Sequence, residues 1–200
     1  MSIETVSAEG SAAPRRGVVS RWRRNEDGVT AIEFGMVAFP FLLFVLGIMA
    51  VGLQFFTINS LDHAVETASR KIRTGEAQRD NLTLGDFKQM VCDASRAYIE
   101  YDCERVVVHV QSAANWAGID PSACASGGTL TPPSDSNAPL ADSSGGAEQV
   151  VLVTVCYDWQ MPITFPYLRY MLMKPIDGIP LASGGALIQA VATFRTEPYN

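Results

Sequence analysis

The chain has 200 residues, of which 48% are hydrophobic, and its formal net charge is −6 at pH 7. This length suggests one membrane element plus one modest soluble domain. Residues 29–200 carry ten basic and seventeen acidic side chains, and this acidic balance argues against a nucleic-acid partner, which requires a clustered positive surface.

The N-terminal third of the chain combines a basic leader with a long apolar run. Residues 1–28 are small, polar and charged, and their five basic side chains are all arginines. Residues 34–61 then contain no charged side chain, whereas about 20 apolar residues already span a bilayer. Basic residues before a first apolar segment tend to stay in the cytoplasm. We therefore predict a cytoplasmic leader over residues 1–28, a transmembrane helix over 29–56, and an outer domain over 57–200.

Two other interpretations of the apolar run fit it less well. A core helix of a soluble protein would normally keep a polar face over such a length. A cleaved secretory signal would have a shorter apolar region and an A-x-A-like site, which Ala50-Val51-Gly52 matches poorly.

Two helices are predicted before any strand. The first covers residues 29 to about 74, is bent or kinked at Pro40, and stops at Gly75. Beyond the membrane its apolar residues follow helical spacing. These residues are Leu61, Ala64, Val65, Ala68 and Ile72. The second helix covers residues 83–101, with Thr83 as its N-terminal cap.

The rest of the chain has the period of β-strands. We predict strands over residues 104–112, 148–159 and 185–197, which alternate or are rich in β-branched residues. The fold class is therefore α+β, with a small antiparallel sheet of three to four strands that packs one apolar face against the helices. A long loop over residues 112–147 separates the first two strands, and a short helix is expected around residues 167–173.

The sequence offers little for catalysis. It contains no G-x-S-x-G elbow, no P-loop and no G-x-G-x-x-G after a strand. Zinc ligation is disfavoured because there is no C-x-x-C pair, and the two histidines, His63 and His109, lie away from the cysteines. We therefore predict no catalytic residue, no metal, no cofactor and no enzymatic activity.

The most specific pattern lies where the leader meets the apolar run. Gly28 is followed by Val29, three further residues, Glu33 and Phe34. This pattern resembles the processing site of type IV pilins, where the mature chain starts after a glycine and has glutamate as its fifth residue. The form G/x-x-x-x-E-F is closest to pseudopilins of the Tad (Flp) pilus. The apolar run, the extension "LDHAVETASRKIRTGEAQ" and the terminal "ATFRTEPY" are similar to the TadE-like family.

The resemblance implies a pilin-like protein with a role in assembly. A prepilin peptidase would cut between Gly28 and Val29, and the mature subunit would remain as a single-pass protein of the bacterial inner membrane with its domain in the periplasm. Its partners would be other pilin and pseudopilin subunits, and its process the assembly of a Tad-type pilus for surface adhesion. Glu33 would be an assembly contact that meets the new α-amine of a neighbouring subunit. Whether the subunit enters the fibre stays open.

The four cysteines all lie on the predicted outer side, where an even number indicates two disulfides with three possible connectivities. The resemblance favours Cys92–Cys103 and Cys124–Cys156, partly because a similar C-x10-C pair recurs in such proteins. Eleven residues of unbroken helix rise about 16 Å, whereas bridged Cα atoms lie about 4.4–6.8 Å apart. This pairing therefore requires the second helix to break before Tyr101.

Two alternatives to a pseudopilin are kept. The first is an unprocessed single-pass membrane protein whose periplasmic domain binds partners. The second is a membrane-anchored periplasmic enzyme, which would need a convergent polar site in the folded domain.

Overall fold

In a computed structural model of the chain, residues 27–96, 102–133, 135–164 and 181–198 are described. The helices and strands are, in chain order, α1 (Asp27–Arg73), α2 (Glu76–Arg79), α3 (Leu84–Arg96), β1 (Val106–Ala113), β2 (Ala125–Ser126), β3 (Thr129–Leu130), α4 (Leu140–Ser144), β4 (Val150–Trp159), α5 (Met161–Thr164) and β5 (Ala186–Arg195). The predicted α+β class, with a long apolar helix first and a small antiparallel sheet after it, is confirmed. The short helix predicted around residues 167–173 lies outside the described residues.

The chain divides by its internal contacts into two units, residues 1–46 and 47–200. In the described part of the first unit, α1 presents its apolar side chains outward. Phe34 is 73% exposed and Met36 is 74% exposed, and the helix continues through Pro40. The helical stretch Val29–Arg73 is long and apolar enough to cross a membrane, and almost none of its most apolar part is buried. Apolar side chains exposed on this scale are typical of a helix that meets lipid.

The second unit has a core built on the amphipathic half of α1. The buried apolar stripe predicted there is observed, since Leu61, Ala64, Val65, Ala68 and Ile72 are all at most 4% exposed. Phe87 and Val91 of α3 join the same core and are fully buried. The small alanines on the stripe allow close approach of the helix to its neighbours.

The sheet that closes this core has the strand order β1-β4-β5, with both pairs antiparallel. Val108 of β1 and Ala190 of β5 both lie opposite Val155, so their side chains share the core face. In β5 the residues alternate between the buried and the exposed side at its N-terminal half, as predicted. In β4 every residue is buried, which means that both faces of the central strand are covered.

Among the described residues, part of the connection between β1 and β4 lies on the second face of the sheet, where Cys124 is bonded to Cys156. The whole connection was expected to be a long loop over residues 112–147. Its helix α4 packs with the other helices instead, since the N–H of Leu140 donates to the carbonyl of Leu82 and the side chain of Gln78 donates to Ser144. This connection holds a 3-10 turn, the β2–β3 hairpin and α4. The hairpin turns at Gly127 and Gly128, whose φ angles of 60° and 83° suit the primed turns that join two strands tightly. The side-chain amide of Gln111 donates to the hydroxyl of Ser122 at 2.6 Å, which ties the segment to β1.

Helix α3 begins at the predicted cap. The hydroxyl of Thr83 accepts from the backbone N–H of Asp86 at 3.1 Å, and the Asp86 carboxylate accepts from the backbone N–H of Thr83 at 2.9 Å. This reciprocal pair is a capping box with aspartate in the third position. The same hydrogen bonds from Thr83 hold the pKa of Asp86 below its ordinary value. The helix is described from Leu84 to Arg96, and residues 97–101, where the prediction ends it, lie outside the described residues.

His109 gives the second unit a pH dependence. It lies on β1 opposite Thr154, on the sheet face that the hairpin covers, and its Nε2 atom is buried with no hydrogen-bond partner in the described part of the chain. Burial lowers the pKa of His109 below its ordinary 6.5, and the backbone of Thr131 opposes this only in part. The unfolded chain therefore takes up a proton before the folded chain as the pH falls.

We expect the free energy of unfolding to fall as the pH is lowered below about 6.5, because the protonated imidazole favours the unfolded state. Denaturant titrations of the full chain in detergent, followed by tryptophan fluorescence between pH 5 and 7.5, measure this. His109→Gln should flatten that slope, whereas the matched control His63→Gln, on an exposed position of α1, should keep it. A slope that His63→Gln removes and His109→Gln preserves would contradict the assignment.

Candidate functional site

The residues of the predicted processing site all lie in the first two turns of α1. Gly28 is the second residue of the helix, and Val29, Glu33 and Phe34 follow on it. Val29 is 53% exposed, and Glu33 is also exposed. Glu33 comes four residues after Val29, so the two residues lie one above the other on the same helix face.

Gly28 has a consequence for the backbone at the predicted cut. It lies in α1 directly before Val29. Glycine has a weak helical preference, so it makes local opening of the helix at this peptide bond easier than another residue would.

Glu33 has no neutralising neighbour among the described residues, where it takes part in no ion pair or hydrogen bond. The next charged residue along the helix is Asp62, also an acid, and the side chains around Glu33 are apolar and exposed. A carboxylate in such a segment costs about 2.5–3.5 kcal/mol on insertion scales. A cationic partner from outside the chain would remove part of that cost.

The far end of α1 contacts the end of β5. The backbone N–H of Glu197 donates to the carbonyl of Arg73 at 2.9 Å, and the Glu197 carboxylate lies 3.4 Å from Nε of Arg73. The chain turns away from α1 at Gly75, whose φ of 73° is in the left-handed region. Two sequence segments that resemble the TadE-like family, one ending α1 and one following β5, therefore meet in space. Sequence reasoning did not anticipate this contact, because 124 residues separate its partners.

Two disulfides tie the second unit together. Cys92 of α3 is bonded to Cys103, with the Cα atoms 5.9 Å apart, and Cys124 is bonded to Cys156 of β4, with the Cα atoms 5.6 Å apart. The 5.9 Å between the Cα atoms of Cys92 and Cys103 is far below the rise of about 16 Å for eleven helical residues, so these two cysteines do not lie on one unbroken helix. The second disulfide fastens the start of the hairpin to the middle of the central strand.

Potential catalytic groups do not converge in the described residues. These residues include no group of three His, Cys, Asp or Glu side chains that would hold a metal ion. His63 is exposed on α1 and His109 lies on β1, while all four cysteines are in disulfides. The predictions of no metal and no catalytic site therefore remain predictions.

Sequence reasoning missed one buried acid. Asp158 of β4 is 7% exposed and accepts from the side-chain amide of Gln160 at 2.7 Å and from the hydroxyl of Ser183 at 3.0 Å. The guanidinium of Arg105 lies 3.5 Å away. Asp158 thus contacts Gln160 and Ser183, which lie at the two ends of the β4–β5 connection, and Arg105, which directly precedes β1. Its position inside an otherwise apolar strand sequence was the signal that could have revealed it.

Comparison with known families gives a match where this site lies. Residues 28–70 match a family model described as TadE-like protein. The matched segment starts at Gly28 and continues along α1 to Arg70, so it includes the whole predicted processing site. The resemblance to the TadE-like family is therefore confirmed over this segment, and it associates the chain with Tad pilus systems. No curated protein and no solved structure matches the chain.

Removing each disulfide should lower the free energy of unfolding of the second unit. The loss should depend on the number of residues in the loop that the disulfide closes. The disulfides close segments of 11 and 32 residues. Chain entropy then predicts losses of about 3 kcal/mol for Cys92→Ala with Cys103→Ala and about 4 kcal/mol for Cys124→Ala with Cys156→Ala. Denaturant unfolding of the full chain in detergent measures both. Proteolytic fragments mapped without reduction give the control, and a fragment linking Cys92 to Cys124 would contradict the pairing.

Proposed function

We propose that the chain is a minor pseudopilin that takes part in assembly of a Tad-type pilus used for surface adhesion. One observation carries this proposal. The family match begins at Gly28 and includes the pattern Gly28, Val29, Glu33, Phe34, which lies on an exposed apolar helix. In this proposal the protein is a substrate of an enzyme and has no catalytic activity of its own.

Processing by a prepilin peptidase after Gly28 is the first step of the proposed role. The peptidase must hold the Gly28–Val29 peptide in an open conformation, and Gly28 favours this opening because glycine has a weak helical preference. The cut releases the leader and leaves Val29 as a new N-terminus. The α-amine formed there has a reference pKa near 8, so it is largely protonated at neutral pH.

Glu33 then serves as the contact that sets the register between subunits. The Val29 amine of a neighbouring subunit supplies the cation that Glu33 lacks among the described residues. A well-formed ion pair is strong in low dielectric, and an unpaired charge there is costly. The exposed apolar side chains of α1 provide the surface along which two such helices pack.

The proposed location is the bacterial inner membrane, with the N-terminus in the cytoplasm, residues 29–56 across the bilayer and residues 57–200 in the periplasm. The arginine-rich leader supports this orientation. The two disulfides support an oxidising compartment for the second unit. The proposed partners are the prepilin peptidase and the other pilin and pseudopilin subunits of the machinery.

Mass spectrometry of the membrane-bound protein tests the processing step. In cells that contain the peptidase, we expect a mature chain that starts at Val29. Gly28→Ala is expected to slow the cut strongly, because it adds a side chain at the cleaved bond, while Gly35→Ala is a matched control in open space on the same helix. A chain that keeps its leader when the peptidase is active would favour the unprocessed binding module instead.

Replacing Glu33 with glutamine tests the assembly contact. We expect Glu33→Gln to be processed after Gly28 as the unmodified chain is, but to reduce the number of pili at least about tenfold, since breaking a buried ion pair costs about 3–5 kcal/mol. Electron microscopy counts the pili, and mass spectrometry reports the processing. Asp62→Asn, which removes an exposed carboxylate further along α1, should leave both unchanged. Normal piliation by Glu33→Gln would refute the pairing role.

A further inference from the structure

A groove runs between α1 and β5 on the surface of the second unit. Its volume is about 680 Å³. The helix contributes Glu66, Ser69, Arg70 and Arg73 to its lining, and the strand contributes residues 191–194. The helix and the strand run in the same direction, because Arg73 at the end of α1 contacts Glu197 just after β5.

The strand side of this groove is the open edge of the sheet. In the strand order β1-β4-β5, β5 has a strand neighbour on one side. The N–H of Thr196 donates to the carbonyl of Gln149, and in an antiparallel ladder every second residue faces the neighbouring strand. The backbone groups of Val191 and Thr193 therefore point away from β4. Within the described part of the chain these groups make no hydrogen bond.

The helix side of the groove carries an exposed cation and a buried serine. Ser69 is 3% exposed, so its hydroxyl lies beneath the surface of the groove. Arg70 is exposed and takes part in no ion pair among the described residues. Arg73 meets Glu197 at 3.4 Å, with both side chains half exposed, which is a weak interaction. The end of the groove next to Arg70 and Arg73 is therefore cationic, while Glu66 lies one turn earlier.

An unpaired edge of this length needs an explanation. Natural sheets protect such edges with charges, prolines, bulges or a covering segment, because the free backbone groups pair readily with other strands. The ten residues of β5 contain no proline, and Val191 is 49% exposed at its middle.

We propose that the groove binds an extended acidic segment of another subunit, which pairs its backbone with the outer edge of β5 and directs a carboxylate to Arg70. This is strand addition, in which backbone hydrogen bonds give affinity and alternate side chains give specificity. The carboxylate supplies the anion that Arg70 lacks among the described residues. The inference that the segment comes from a partner in pilus assembly rests on the proposed function. The groove itself does not depend on that function.

A second copy of β5 fits the groove less well than a separate segment. Two identical edges pair about a two-fold axis when the strands are antiparallel. Each α1 runs in the same direction as its own β5, so the two helices of such a dimer would begin at opposite ends. In such a dimer the two chains would enter the second unit, near residue 47, at opposite ends, whereas in the proposed role both subunits are anchored in the same bilayer.

Defined peptides test the groove directly. The first probe is a blocked heptapeptide, Thr-Val-Thr-Glu-Thr-Val-Thr, which places valine and glutamate on one face of a strand. A second peptide has glutamine in place of glutamate. A third has prolines in place of the threonines at positions 3 and 5, which removes the backbone donors that would face β5. The full chain in lipid nanodiscs is titrated with each peptide, and binding is measured by fluorescence anisotropy and by amide hydrogen exchange of residues 186–195.

We expect the glutamate peptide to bind about tenfold more tightly than the glutamine peptide, because a charge-assisted hydrogen bond is about twice as strong as a neutral one. The proline peptide should not bind. The glutamate peptide should slow hydrogen exchange in β5, since the outward N–H groups of Val191 and Thr193 gain partners. Equal binding of the glutamate and glutamine peptides would overturn the acidic preference.

Three variants locate the binding. Val191→Pro removes one outward N–H without touching the ladder to β4, and edge positions tolerate proline, so it should abolish binding. Val191→Thr keeps that N–H and is its matched control, with binding retained. Arg70→Gln should remove the difference between the glutamate and glutamine peptides. Unfolding curves of all three verify that they fold.

Other outcomes overturn the proposal. If Val191→Pro folds and binds as well as Val191→Thr, the segment does not use the edge of β5. If the unmodified chain forms dimers that Val191→Pro dissociates, the occupant is a second copy of the chain. Processing at Gly28 is read separately by mass spectrometry, so failure of peptide binding in a normally processed chain would refute the groove and leave the proposed function standing.

Discussion

The second unit depends on the contact between one stripe of α1 and the core face of the sheet. Leu61, Val65 and Ile72 lose nearly all their exposure there, and Ala64 and Ala68 leave room for the strands to approach. The strands have no other large apolar surface to close against on that side, apart from α3. A polar substitution on this stripe would therefore disturb the helix, the sheet and the groove beside β5 together. Over residues 29–46 the exposed side chains of the same helix are largely apolar, and Glu33 is the charged residue among them.

The central strand determines how the rest of the domain is arranged. A three-stranded sheet with one covered face would expose half of β4, yet all ten of its residues are buried. The covering material is the connection between β1 and β4, which returns over the second face and is held by Cys124 to Cys156. The domain thus has a helix layer, a sheet and a thin outer layer, and the outer layer is made of the least regular part of the sequence.

Local patterns predicted the parts of the fold that depend on neighbours in sequence. The helical spacing in α1, the alternation in β5 and the cap at Thr83 each follow from residues within a few positions of one another. The hairpin was not predicted, because strands of two residues show no alternation, although Gly127 and Gly128 were a turn signal. The processing pattern was readable because it is a linear motif. The groove was not, since it requires the strand order and the direction of β5 relative to α1.

The bond between Cys124 and Cys156 makes the outer layer of the domain sensitive to the compartment in which the chain folds. In a reducing cytosol the hairpin keeps only hydrogen bonds such as the one between Gln111 and Ser122, and loop closure must be achieved without a covalent link. Leu152 and Thr154, which are buried on this side of the sheet, are then covered by a segment that is held by weaker interactions. A domain made in that setting lacks the covalent link that holds this cover in place. In the proposed periplasmic location, export would therefore act as a maturation checkpoint, because the disulfide that secures the outer layer would form only after the chain had left the cytosol.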